Sequence, residues 1–116
     1  MQGSRTIFYD LDGAIGIRPD WPPPETIQSA RVLYIDHLDA ARSLRAARIA
    51  RAADIPVFAD AEYVSAPDFD ELLSLVTHLI LPAYFATRYT GCSDPQAAAA
   101  ALWSADREAV VVTCGA

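Results

Sequence analysis

Carboxylate-bearing residues follow two short apolar runs of this chain. Asp36 follows Val32–Ile35, and Asp60 and Glu62 follow Pro56–Ala59. Mg²⁺ is usually held by one or two carboxylates together with phosphate oxygens. Asp next to a helix is also a common N-cap. The spacing therefore indicates a strand-end site for a hard cation at Asp36, Asp60 and Glu62, with capping of helices and turns as the alternative.

A candidate phosphate site follows the last apolar run. Thr113 and Gly115 come directly after Ala109–Val112. A small hydroxyl residue and a glycine let the backbone approach a phosphate closely, although turn geometry alone also favours them. His37 lies beside Asp36. It is either a base oriented by that carboxylate or a structural histidine at a helix start.

The elements that must position these residues alternate between short apolar runs and helical patterns. Continuous apolar strands separated by helices are typical of a parallel sheet covered on both faces. In such sheets ligands bind beyond the carboxyl ends of the strands. The sequence therefore predicts a three-layer α/β sandwich with a mainly parallel sheet. Its strands are Val32–Ile35, Val57–Ala59, His78–Leu81 and Ala109–Thr113, and its helices are Leu38–Ala53, Phe69–Val76, Pro82–Tyr89 and Gln96–Ser104.

The first 31 residues are organised differently from the rest. Thr6–Tyr9 is rich in β-forming residues and predicts a further strand, followed by a turn at Asp10–Gly13. Asp20–Glu25 contains three consecutive prolines and predicts a rigid extended connector. The 116 residues suit one domain, with residues 32–116 forming its core.

Charge and hydropathy exclude several classes of protein. The net charge is −6, and all nine basic residues are arginines, which argues against a general nucleic-acid binder. Four of the arginines recur every third residue and predict the solvated face of a helix. They are Arg42, Arg45, Arg48 and Arg51. No apolar run approaches the roughly 20 residues of a membrane span.

Targeting and cysteine usage point to a cytoplasmic protein. The N-terminal residues lack the apolar segment of a secretory signal. Cys92 and Cys114 have neither the spacing of a zinc site nor that of a disulfide framework. We therefore expect two free thiols without a metal.

Four stretches of the chain resemble the ribokinase-like (PfkB-type) carbohydrate kinases. Val32–Glu62 resembles their strand, Ala-rich helix and strand ending in Asp. Leu79–Leu102 resembles the strand and helix that close in Thr-Gly, followed by a helix that Asp-Pro opens. Ala109–Ala116 resembles the strand ending in Thr-x-Gly, and Gly3–Gly16 is loosely similar to the substrate lid. The likeness lies in the order and spacing of these stretches rather than in any single motif.

The resemblance implies an ATP-dependent sugar kinase with ATP and Mg²⁺ as cofactors and a sugar or sugar-like alcohol as substrate. It places Thr113 and Gly115 against the nucleotide phosphates. Pro82 and Phe85 occupy the positions of the family's Asn-x-x-Glu, and the Gly-Ala-Gly-Asp stretch that supplies the catalytic base and the anion hole is not in these residues. The sequence therefore predicts a fragment of the kinase fold that is inactive alone and forms homo-oligomers through the surfaces it leaves uncovered.

A second family resemblance concerns Ile7–Gly13. This segment is similar to the haloacid dehalogenase-type phosphatase signature, in which an apolar strand delivers Asp-x-Asp-Gly-Thr. The resemblance implies Asp10 as nucleophile and Asp12 as acid/base, with Mg²⁺ between them. Ala14 replaces the usual Thr, and the family's lysine has no counterpart. The alternatives are thus a phosphatase, a non-catalytic binding module, or a simple turn at Asp10–Gly13.

Overall fold

The computed structural model describes Thr6 and residues 18–64 and 67–115. Helices and strands alternate along most of this range. The helices are α1 (Pro24–Gln28), α2 (Ala40–Ala52), α3 (Phe69–Leu75), α4 (Ala83–Thr90) and α5 (Pro95–Leu102). The strands are β1 (Leu33–Asp36), β2 (Val57–Asp60), β3 (His78–Pro82) and β4 (Ala109–Thr113).

The four strands form one parallel sheet in the order β1-β2-β3-β4. Each crossover contains at least one helix, as parallel neighbours require. The architecture is consistent with a three-layer α/β sandwich. The predicted fold class is confirmed, and so is the prediction that these four segments are neighbours in one parallel sheet.

The two faces of the sheet differ in burial. Side chains at alternate strand positions, such as Val57, Leu79 and Leu81, are fully buried. Helices α2, α4 and α5 contact the strands, and α3 packs on α2. The alternate positions that point to the opposite face of the sheet carry half-buried or exposed side chains. On the other face Tyr34 and Val111 remain exposed. Burial therefore alternates between buried and half-buried side chains along β2 and β3, the two central strands.

Helix ends follow the capping signals of the sequence within about two residues. Asp94 accepts a hydrogen bond from the backbone N–H of Ala97, and Pro95 begins α5, as predicted. Helix α2 begins at Ala40 rather than at Leu38, because Asp39 caps it by accepting from the Arg42 N–H. No described helix has the length and apolarity needed to cross a membrane.

The proline-rich connector is helical over part of its length, so the prediction of an extended segment is wrong there. Helix α1 begins at Pro24, and Pro23 is its extended N-cap. Proline suits the first helical position because its fixed φ is already helical and no N–H is needed there. Ile27 is buried in the core, which anchors this helix. Of the predicted strand Thr6–Tyr9, residues 7–9 lie outside the described residues.

Arg107 joins the ends of two helices beneath the sheet. Its guanidinium donates to the carbonyl oxygens of Leu73 in α3, at 2.6 Å, and Leu102 in α5, at 2.5 Å. The side chain is only 9% exposed, and its Nε has no partner among the described residues. Carbonyls in the last turn of a helix lack intrahelical donors, so a cation there is stabilising. Arg107 therefore fixes α3 against α5.

Candidate functional site

The carboxyl ends of the four strands meet at one edge of the sheet. Asp36 is the register partner of Asp60, and Pro82 is the register partner of Thr113. Parallel pairing places all four residues on the rim where ligands of such sheets bind. The structure therefore brings Asp36 and Asp60 together on neighbouring strands, as the sequence predicts.

Asp36 and Asp60 differ in their surroundings. Asp36 is exposed, and its Oδ1 accepts a hydrogen bond from the Leu38 N–H at 2.9 Å. Asp60 is half-buried. Burial, with the nearby charges of Asp60 and Asp36, raises the pKa of the Tyr34 hydroxyl.

His37 contacts the backbone rather than the carboxylate that precedes it. Its Nδ1 lies 3.4 Å from the Asp60 carbonyl oxygen and accepts from the Glu62 N–H, also at 3.4 Å. Its ring meets the Tyr63 ring edge-on at a centroid distance of 4.2 Å. These contacts support the structural alternative for His37, which links the ends of β1 and β2.

Glu62 belongs to an aromatic cavity at the same end of the sheet. The cavity has a volume of about 460 Å³. The Tyr84 hydroxyl donates to the Glu62 carbonyl oxygen at 3.3 Å and so connects α4 to the loop after β2. Aromatic faces with a few charged groups suit flat or ring-shaped polar ligands. The cavity is lined by Glu62, Tyr63, Val64, Tyr84, Phe85, Arg88 and Tyr89.

Sequence analysis missed this cavity. Its only sequence signal is the pair of exposed tyrosines, Tyr63 after β2 and Tyr84 at the start of α4. Both follow the carboxyl ends of neighbouring strands, which is the criterion that identified Asp36 and Asp60. The position of aromatic residues at strand ends is therefore as informative here as that of carboxylates, hydroxyls and glycine.

A three-ligand metal site is not present in the part of the chain that the structure describes. No group of three or more His, Cys, Asp or Glu side chains there could hold a metal ion. Asp36 and Asp60 remain a pair of carboxylates, which is the number that Mg²⁺ often takes when phosphate supplies the other ligands. The predicted third member, Glu62, instead lines the aromatic cavity.

Thr113 and Gly115 are exposed at the end of β4. Gly115 has φ +73°, and a Cβ built there would meet nothing within 4 Å. Backbone conformation therefore favours glycine at this position, while open space in front of it leaves room for a ligand. A cavity of about 510 Å³ adjoins Cys114, Val112 and the start of α5. Asp94 lines that cavity and caps α5, so its carboxylate opposes an anion at this helix end.

Pro82 and Phe85 have structural roles at the positions that the first resemblance compares with Asn-x-x-Glu. Pro82 ends β3 and is the N-cap of α4. Phe85 is buried, with its ring edge-on to Phe69 at 6.0 Å. Helix α4 then ends before Gly91, whose φ of 73° provides the left-handed C-cap.

Asp10 and Asp12, the residues of the phosphatase alternative, lie outside the described residues. Cys92 and Cys114 are both free cysteines, the first half-buried and the second exposed. In comparisons with known proteins, no family model matches the chain, and neither a curated protein nor a solved structure matches it significantly.

Proposed function

We propose that this chain is part of an ATP-dependent sugar kinase of the ribokinase type and contributes binding groups for the sugar and the nucleotide. The observation that carries the proposal is the meeting of Asp36, Asp60 and Thr113 at one edge of a parallel sheet, beside an aromatic cavity. Polar side chains at the strand ends and a stacking surface nearby are what a phosphorylated or hydroxylated ring requires.

The nucleotide is assigned to the end of β4. Thr113 offers a hydroxyl to a phosphate oxygen, and the open backbone at Gly115 lets a phosphate approach the chain. The Asp94 carboxylate nearby opposes an anion, so the phosphates would bind here with Mg²⁺ to offset their charge. Asp36 and Asp60 are the carboxylates that would face Mg²⁺ carried by the phosphates. The bound Mg²⁺ would supply charge neutralisation for the phosphate oxygens.

The sugar is assigned to the aromatic cavity. Tyr63 and Tyr84 provide exposed ring faces, and Arg88 and Glu62 provide charged groups for sugar hydroxyls. Stacking on aromatic rings is a common way to bind the apolar face of a ring-shaped ligand. This assignment is consistent with a soluble, cytoplasmic protein that acts on a small molecule.

Binding is separable from catalysis in this chain. Phosphoryl transfer to a sugar hydroxyl needs a base for the hydroxyl proton, and general-base assistance is typically worth about 10²- to 10⁴-fold in rate. The resemblance assigns that base to a Gly-Ala-Gly-Asp stretch, and these 116 residues contain none. We therefore expect no sugar-dependent release of ADP above a heat-treated control.

The experiment is a calorimetric titration of the chain with a panel of pentoses, hexoses and sugar alcohols. One or more of these should bind, and Tyr84→Ala should weaken that binding by about tenfold or more through loss of stacking. Trp103→Ala is the matched control, because Trp103 is also an exposed aromatic residue but does not line this cavity. Absence of binding by every sugar, or equal loss in both variants, contradicts the assignment.

A further inference from the structure

Exposed apolar side chains lie on and next to β1, and Trp21, Tyr34 and Leu38 line one cavity of about 400 Å³ there. Trp21, Val32, Tyr34 and Leu38 are all large apolar residues that stand in solvent. Tyr34 is the most exposed of these four, at 61%. Contiguous apolar patches of this kind usually mark interaction surfaces. We refer to these four residues as the β1-edge patch.

Next to this patch, some backbone N–H and C=O groups of β1 lie in the plane of the sheet and point away from β2. Among the described strands β1 pairs with β2 alone. The Leu33 N–H donates to the Pro56 carbonyl oxygen, on the β2 side. Residues of a strand alternate in direction, so Ile35 also bonds towards β2, while Tyr34 and Asp36 direct their N–H and C=O groups away from it. Such an edge is a template for another strand.

We propose that β1 pairs antiparallel with β1 of a second copy of this chain, about a two-fold axis that passes next to Ile35. This register sets Tyr34 of each copy opposite Asp36 of the other. Both residues direct their backbone groups outward, so each opposed pair exchanges two backbone hydrogen bonds. The two four-stranded sheets then form one continuous sheet.

Charge and hydropathy on either side of β1 favour this antiparallel arrangement. Arg31 precedes the strand and is exposed, whereas Asp39 follows it. Antiparallel pairing brings the Arg31–Val32 end of either strand towards the Leu38–Asp39 end of the other, where Asp39 also pairs with Arg42 of its own chain. A parallel pair would instead bring Arg31 of one copy near Arg31 of the other, and Asp39 near Asp39, so that charges of the same sign would be adjacent. The edge is therefore complementary to itself in the antiparallel direction only.

The test is the molar mass measured by light scattering during size exclusion, over about 10 to 500 μM chain. The parent should reach twice the mass of one chain. Tyr34→Glu should raise the dimer dissociation constant by at least about tenfold, because it sets a carboxylate opposite Asp36 in both symmetric pairs. Val111→Glu is the matched control, since Val111 is an exposed residue of β4 at the opposite edge. It should leave the dimer intact.

Three results overturn the proposal: a monomeric parent at every concentration, equal dissociation of both variants, or dissociation of Val111→Glu alone. Hydrogen exchange of the parent provides an independent measurement if Tyr34→Glu does not fold. The Tyr34 and Asp36 amides should exchange more slowly as the concentration of chain rises, because the described strands of one chain offer them no acceptor and the second copy does. Exchange rates that do not depend on concentration at these two amides also overturn it.

Discussion

Arg107→Met should destabilise the fold strongly. The substitution removes the guanidinium that donates to the Leu73 and Leu102 carbonyl oxygens while it retains an apolar side chain of similar length. The Leu73 carbonyl also accepts from the Val76 N–H, at 3.2 Å, so it keeps one partner. The Leu102 carbonyl loses the donor that joins α5 to the rest of the core.

The magnitude follows from the two hydrogen bonds and from the cost of burying the cation. A hydrogen bond to a charged group contributes about 1.5–3 kcal/mol, which gives about 3–6 kcal/mol for the pair. In the parent, the Arg107 Nε is buried without a partner among the described residues, which is unfavourable. The substitution removes this group, and the gain offsets about 1–2 kcal/mol of the loss. The free energy of unfolding should therefore fall by about 1–5 kcal/mol, a large part of the roughly 5–15 kcal/mol typical of a domain.

Urea unfolding monitored by circular dichroism measures this difference. Arg107→Lys should lie between the parent and Arg107→Met, because one ammonium group does not span both carbonyls as the guanidinium fork does. The matched control is Arg48→Met, which removes the ion pair between exposed Arg48 and Glu71. Such pairs contribute about 0–1 kcal/mol. The reasoning is refuted if Arg107→Met and Arg48→Met lose the same small amount.

Three further substitutions probe other contacts. Burial, together with a hydrogen bond to Asp70, raises the pKa of Tyr89 to about 12. The stability that this shift contributes is complete below about pH 10, the pKa of a free tyrosine, and is lost as the pH rises towards 12. The melting temperature of Tyr89→Phe should therefore fall less steeply than that of the parent between pH 10 and 12. Thr77→Val should cost about 1–3 kcal/mol in urea unfolding, because the buried hydroxyl bonds to both the N–H and the C=O of Val57; a loss below about 0.5 kcal/mol would contradict this role. Gly91→Ala should cost about 1–2 kcal/mol in the same assay from backbone strain alone, because Gly91 has φ 73° and open space around its Cα; an unchanged midpoint would contradict it.

The fold could be predicted because its signals are local. Apolar runs of four or five residues identify β2, β3 and β4, and Asp94-Pro95 sets the start of α5 through capping chemistry. The proline run was misinterpreted because proline favours an extended chain and the first turn of a helix alike. What decided in favour of α1 was burial of Ile27, a tertiary contact that local sequence does not contain.

The site could be predicted only in part. Asp36 and Asp60 come together because parallel register follows from the strand assignment itself. The aromatic cavity depends on how the loop after β2 lies against α4, through the contact between Tyr84 and the Glu62 backbone. The role of Arg107 was likewise hidden, because its acceptors are backbone carbonyls 34 and 5 residues away. Every residue type carries a backbone carbonyl, so the sequence does not indicate which carbonyls accept a hydrogen bond from Arg107.

The most direct test of the proposed function is an NMR titration of the ¹⁵N-labelled chain with ATP and Mg²⁺. We expect amide shifts to concentrate at Thr113 and Gly115, with smaller shifts at Asp36 and Asp60, and we expect Thr113→Val to reduce them. Shifts centred at the amino ends of the strands, or no shifts with several millimolar ATP, would contradict the assignment of the nucleotide to the carboxyl edge of the sheet.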